Sequence, residues 1–374
     1  MISFLRHMRQ FMSNVRVGLV GIGAQTQENL LPSLLQTPDI HVAAACDGVA
    51  ERARLVHRHI KDVELYDDIA KMLTDTKLDA LVVACPPQAH RDIATLAMSR
   101  GVHVFVEKPP CFTLEELLSL TELSRKSGLV TGVGMNFRFA RPIQHLRLIR
   151  SEPHFGRTAH IQLNHYANKP RAPMWGLDST LRSFLLAQAI HTIDLAMLFG
   201  GDVKETRSEV QNDNGSLIVE INISFKNGAT ASILTGTMFP YFEFEMKLIS
   251  DTSTMVRLDN LSDITLHEPD HVTRAGGNDK RWRGYWRPGP LDSGYVRSGY
   301  QSELQSFFDA IRTGGKFEAD FANLIPTYEV IEQVCEKGDR LAADVAIDAL
   351  NLLQGHKPDL QASDLGQAKV NANV

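Results

Sequence analysis

VRVGLVGIGAQTQENLLPSLL, residues 15–35, moves from a β-branched apolar run to a pair of glycines and then to helically spaced leucines. VRVGLV, residues 15–20, reads as a buried strand, Gly21-Ile22-Gly23 as a tight turn, and ENLLPSLL as the helix that leaves it. IHVAAACD (40–47), LDALVVAC (78–85) and VHVFVE (102–107) repeat the strand-like run, while HRDIATLAMSRG and LEELLSLTELSRKSG have helical spacing. Strands alternating with helices predict an α/β fold built on a parallel, doubly wound sheet.

In such a sheet a glycine-rich first turn lets backbone N–H groups approach a pyrophosphate, helped by the positive end of the next helix. Gly21 and Gly23, with Ala24 and Gln25 opening the helix, are therefore candidate contacts for a dinucleotide. The third position of the G-x-G-x-x-G pattern is Thr26, so the turn alone is a weak sign. Asp47 strengthens it: it closes the second strand roughly 20 to 25 residues beyond the glycines, where an acid accepts hydrogen bonds from a ribose. That favours NAD. Arg52 and Arg54 stand close enough to leave NADP open, and an Asp before Gly48 also suits a turn.

The rest of the chain limits the alternatives. Its 374 residues exceed what one core usually organises, so two domains are expected. A net charge of -5 argues against nucleic acid as a partner. No run of roughly 18 to 20 apolar residues suggests a membrane span, and the basic residues within MISFLRHMRQFMSNV argue against a signal peptide. Cys46, Cys85, Cys111 and Cys335 are widely spaced, which suits reduced thiols in a cytoplasmic protein better than zinc ligands or a disulfide framework. No metal site is expected.

ALVVACPPQAHRDIATLAMSRGVHVFVEKPPCFTLEEL, residues 80–117, closely resembles the Gfo/Idh/MocA family of oxidoreductases. Pro86, Pro87 and His90 match the family's strand-P-P-x-x-H segment, and Glu107, Lys108 and Pro109 match its E-K-P signature. MNFRFARPIQHLRLIRSEPHFGR and SELQSFFDAIRTGGKFEADFANLIPTYEVIEQV resemble its entry into a second domain and its C-terminal helices. The resemblance covers about residues 15 to 345. It implies a Rossmann domain over 15–135 and an α/β substrate and oligomerisation domain over 136–354, built on a large, mostly antiparallel, open-faced sheet. Residues 1–14 read as a lead-in and 355–374 as a loosely held tail. RTAHIQLNHY, LIVEINISF, ATASILTG and FEFEMKLIS show the strand-like alternation such a sheet needs. Pairing through that sheet into a homodimer or homotetramer is a further implication.

The resemblance also implies roles. Pro86, Pro87, His90, Glu107 and Lys108 join the cofactor set, with Glu107 orienting the loop. Lys108 follows a parallel strand and so projects from the edge where ligands bind; its family counterpart contacts the substrate hydroxyl and the nicotinamide side. In FLLAQAIHTIDLAM, residues 184–197, a helix would put Gln188, His191 and Asp194 on one face. His191 and Asp194 match the family pattern D-x-x-x-H-x-x-D, whose histidine accepts the proton and whose second aspartate sits behind it. The first aspartate corresponds to Ala187, which can neither take a proton nor hold a hydroxyl. Gln188, Tyr166 or Lys169 are the available substitutes.

Arg138, in NFRF, could approach cofactor or substrate or form a surface salt bridge. RWRGYWRPGP, residues 281–290, suits a subunit contact or a sugar site. The expected function is NAD(P)-dependent hydride transfer between nicotinamide and the hydroxyl or ketone of a sugar, sugar derivative or cyclitol. Lys108 and His191 are the catalytic pair, and Lys108, Arg138, Tyr166, Gln188, His191 and Asp194 form the substrate set. Two alternatives stay open: an NADPH-dependent keto-sugar reductase using Lys108 and a tyrosine, and a dinucleotide-binding sensor or partner protein without turnover.

Overall fold

The computed structural model describes residues 14–269, 281–289 and 294–353. The lead-in before residue 14, the tail from residue 355 and the side chains of Arg281, Trp282 and Arg283 lie outside the described residues.

Six parallel strands form the first sheet: β1 (Val15–Val20), β2 (Ile40–Cys46), β3 (Glu64–Tyr66), β4 (Ala80–Val83), β5 (His103–Val106) and β6 (Thr131–Val133), in the order β3-β2-β1-β4-β5-β6. All four residues of β4 are buried, as a strand covered by helices on both faces requires. The order reverses between β1 and β4, which opens a crevice at their carboxyl ends. After β1 the chain makes a π turn over Thr26–Leu30 and continues as α1 (Leu31–Gln36). Helices α2 (His90–Ser99) and α3 (Leu114–Ser127) follow β4 and β5. The hydroxyl of Thr113 caps α3 by accepting from the Glu116 N–H, and Gly128 ends it at φ 66°.

The second sheet has eight strands: β7 (Thr158–Tyr166), β8 (Val203–Asp213), β9 (Ser216–Phe225), β10 (Thr230–Gly236), β11 (Glu243–Ser250), β12 (Met255–Asp259), β13 (Asp263–Pro269) and β14 (Arg281–Trp286). They run in the order β14-β13-β12-β11-β7-β10-β9-β8, all antiparallel except the central pair β7 and β10. Along β7, Ile161, Leu163 and His165 are buried on the inner face, while Gln162, Asn164 and Tyr166 face the other way. Polar pairs such as Lys247 with Glu245 and Arg257 with Glu245 line that outer side. The aromatic stretch near residue 285 is split: Trp286 stacks on His145 with ring centres 4.8 Å apart, whereas Tyr285 is exposed.

Two short helices, α4 (Asn136–Phe139) and α5 (Arg141–Ser151), lead into this sheet. Thr180–Phe184 is helical, Leu185–Ala189 forms a π turn with the Ile190 N–H donating to the Leu185 carbonyl, and α6 (Ile190–Gly200) completes the rod. This 21-residue stretch is long and apolar enough to cross a membrane, contrary to the sequence expectation, but 89% of its most apolar window is buried inside the protein. Two further helices follow, α7 (Tyr300–Thr313) and α8 (Ile325–Leu353), and the rod packs against β7, β10 and α8 as a core helix. Helix α7 returns to the first domain, where Phe307 meets Phe105 edge to face at 5.6 Å. The Val133 N–H donates to the Ala319 carbonyl, 2.8 Å away, so residues assigned by sequence to the second domain complete the edge of the first sheet.

Candidate active site

At the crevice, Gly21 has φ +82°, and a Cβ there would stand 2.7 Å from the Ala84 backbone, so the turn requires glycine. Gly23 has open space where a Cβ would project. Thr26, in place of a third glycine, is buried and donates its hydroxyl to the Gly21 carbonyl, closing the turn at 2.5 Å. Asp47 Oδ2 accepts from the Ile22 N–H and Oδ1 from the Val49 N–H, both at 2.8 Å, with Arg52 Nε 3.5 Å away. Gly21, Gly23, Ala24, Gln25, Asp47 and Pro86 together line a groove of about 600 Å³, dimensions and chemistry that fit a dinucleotide. Arg54 is exposed and does not line this groove.

The groove runs into a second cavity of about 450 Å³, with Gln25, Ala84 and Cys85 lining both. Pro87, His90, Glu107, Lys108, Gln188 and His191, all expected from sequence, come together here. His90 ties two turns: its Nε2 is 2.8 Å from the Cys85 carbonyl and its Nδ1 2.8 Å from that of Pro109. Glu107 Oε1 accepts from Gln25 Nε2 at 2.8 Å and Oε2 from the Lys108 N–H at 3.2 Å. Burial pushes the Glu107 carboxyl up, against the pull of Gln25 and Lys108. Lys108 Nζ donates to the carbonyl of Ala187 at 2.7 Å, and burial lowers its ammonium pKa while Glu107 opposes that shift. The His191 ring stacks on Phe137, centres 4.4 Å apart, and burial, Lys108 and His165 hold it well below the usual histidine range.

Three expected substrate contacts are placed elsewhere. Arg138 and Asp194 are buried against each other, with Nε to Oδ2 at 2.6 Å and Nη2 to Oδ1 at 2.5 Å, and neither lines the cavity. Arg138 also donates to the carbonyls of Glu318 and Asn323, and Thr327 Oγ1 donates to Asp194 Oδ1 at 3.3 Å. His191 and Asp194 both lie beyond the π turn on a regular helix, where an i, i+3 step falls about 60° short of a full turn, and that drift divides the expected single face. Ala187, Gln188 and His191 therefore face the cavity and Asp194 does not. Tyr166 stacks on Phe239, centres 4.1 Å apart, outside the cavity. The strand period decides this, since adjacent residues on β7 face opposite ways and His165 takes the inward position.

His165 is accordingly the main residue that sequence reading missed. It lines the cavity, is 2% exposed, and has no hydrogen-bond partner for either ring nitrogen among the described residues. Its signal was available, because alternation in HIQLNHY aligns it with Ile161 and Leu163. Asn136, Phe137, Phe242 and Tyr300 also line the cavity. Tyr300 comes from the distant helix α7, and no local pattern announces it.

The sequence model of the oxidoreductase family with an NAD-binding Rossmann fold, Gfo/Idh/MocA, matches residues 15–135. The crystal structure of a dehydrogenase from Chromobacterium violaceum is 60% identical, covers 92% of this chain and 99% of its own, and superposes with a TM-score of 0.85. The chain belongs to the Gfo/Idh/MocA oxidoreductase family. Its first domain is the family's NAD-binding Rossmann domain. Among curated relatives, D-glucoside 3-dehydrogenase of Escherichia coli is 29% identical over 135 residues, which are 36% of this chain and 38% of that protein. The chain spans 62% and 57% of the lengths of two other curated relatives, each 24% identical. A levoglucosan dehydrogenase in complex with NADH, 18% identical, has the same fold, with a TM-score of 0.75 over 87% of this Gfo/Idh/MocA chain and 97% of its own.

Proposed function

We propose that the protein is an NAD-dependent dehydrogenase of a sugar, sugar derivative or cyclitol hydroxyl. The observation that carries this reading is the meeting of Lys108 and His191 in one cavity, continuous with the groove of the glycine turn. Lys108 is anchored by Ala187 and keeps donors to stabilise the reacting oxygen as its proton leaves. His191, held neutral by its surroundings, accepts that proton. A bound nicotinamide would supply the hydride acceptor. Glu107 and Gln25 hold the loop between the two spaces, and Asp47 supports NAD over NADP by presenting an acid to the ribose.

The names of the curated D-glucoside dehydrogenase and the levoglucosan dehydrogenase add to the sugar reading. A keto-sugar reductase using a tyrosine would have to employ Tyr300, which lines the cavity, rather than Tyr166. A sensor without turnover has no physical need for a lysine and a neutral histidine facing one space. Pairing of copies through the outer face of the second sheet belongs to the same proposal, and light scattering tests it.

Turnover is tested with a panel of sugars and cyclitols and either NAD or NADP, read by the absorbance of reduced nicotinamide. Oxidation with NAD is expected. Tight cofactor binding without turnover of any member would overturn the dehydrogenase reading.

A further inference from the structure

Lys108, His165 and His191 reach the same cavity from three elements: the turn after β5, strand β7 and helix α6. Both ring nitrogens of His165 and Nδ1 of His191 are buried without a partner among the described residues. Buried nitrogens are rarely left so, and a ligand or water is the usual partner. Among the described residues Glu107 is the one carboxylate that lines the cavity, and its oxygens are already engaged. Position 187 is alanine, Asp194 is committed to Arg138, and Glu107 is held by Gln25 and the Lys108 amide. Of the three donors of Lys108, one goes to the Ala187 carbonyl and two remain.

Lys108 brings a positive charge with donors to spare, which an ionised carboxylate answers and a neutral polyol does not, and each neutral imidazole has one N–H to add. We propose that the substrate is a polyhydroxy acid, its carboxylate seated between Lys108 and His165 and its reacting hydroxyl shared by Lys108 and His191. The carboxylate takes no part in the reaction: the carbinol carbon gives its hydride to NAD and the hydroxyl its proton to His191. This rests on the dehydrogenase reading and names the substrate class for the same site. Phe242, itself half exposed, lies edge-on to His165 with ring centres 5.3 Å apart and lines the cavity beside it.

A seated anion also changes protonation. Free His165 is pushed down to about 4 by burial and by Lys108. The other titratable groups lining the cavity are Glu107, His90, His191, Tyr300 and Cys85; the cross-strand neighbours of His165, Thr235 and Phe244, do not titrate. A carboxylate beside the ring favours its charged form, so binding takes up a proton once pH falls below the raised value of the bound ring, and tightens as pH falls on toward about 4. A neutral polyol binds without that dependence.

The test is calorimetry on the protein saturated with NADH, comparing D-gluconate with D-glucitol and D-galacturonate with D-galactose, in buffers of different ionisation enthalpy. Steady-state oxidation of the same four compounds with NAD accompanies it. The acids are expected to bind at least about tenfold tighter than their neutral partners, with proton uptake. His165→Asn and His165→Gln should remove both the preference and the uptake while cofactor affinity is unchanged. Neutral compounds that bind and turn over as well as the acids would overturn the acid proposal and leave the dehydrogenase standing. Acids that bind with proton uptake but are never oxidised would support the seat and overturn the proposed reaction.

Discussion

Lys108 Nζ donates to the carbonyl of Ala187 across 2.7 Å, so a lysine of the first domain is anchored by the backbone of a helix in the second. The family pattern has an aspartate at position 187; here the residue is alanine, and its main-chain carbonyl holds the lysine. The anchor fixes the lysine without neutralising its charge.

Lys108→Met is expected to lower kcat/KM by roughly 10²- to 10³-fold, with NAD affinity changed by less than about threefold. Fluorescence titration of NADH and steady-state kinetics measure the two effects. Activity close to wild type in this variant would remove Lys108 from the mechanism.

His191 must be neutral to accept a proton, and its pKa lies well below 6.5 because of burial and the neighbouring Lys108 and His165. The acid limb of the kcat/KM profile should therefore fall below pH 6.5, with activity retained as pH drops through the range where an ordinary histidine titrates. His191→Asn should lower kcat by about 10²- to 10⁴-fold and abolish that limb. An acid limb centred at or above the ordinary histidine value would contradict the assignment.

Arg138 and Asp194 are 5% and 1% exposed, and each is the other's charge partner. Arg138→Met or Asp194→Asn alone should cost about 3 to 5 kcal/mol of stability by leaving an uncompensated buried group. The double variant should recover part of the loss. Chemical denaturation measures all three, and single variants within about 0.5 kcal/mol of wild type would mean that the pair is not structural.

His165 gives a separate pH signature. Its folded pKa of about 4 lies below the ordinary value of 6.5, so the unfolded chain binds the extra proton between these values. The stability present above about pH 6.5 is then lost as pH falls toward 4, by up to about 3 kcal/mol for this group. His165→Asn should flatten the fall in Tm over that window, relative to wild type.

Much of the first domain was legible because its signals are local. A strand, a glycine turn and a helix are adjacent in sequence, and β1, β2, β4 and β5 fall within the runs read as strands. Lys108 is legible for the same reason, since its position depends on the strand immediately before it. The short β3 and β6 and the polar β8 were not read, because they carry too little apolar alternation to stand out.

The sequence by itself determined the parallel sheet, the glycine turn after its first strand, and the position of Lys108 just beyond a parallel strand. Tertiary structure alone decided that Asp194 answers Arg138 and that Tyr300 returns from a distant helix to the cavity. It also decided that His165, not Tyr166, faces Lys108 from the second sheet. The physical reason is distance along the chain. Turn chemistry and strand period act between neighbours, whereas a charge partner or a cavity wall is chosen by which surfaces pack together after the chain has folded.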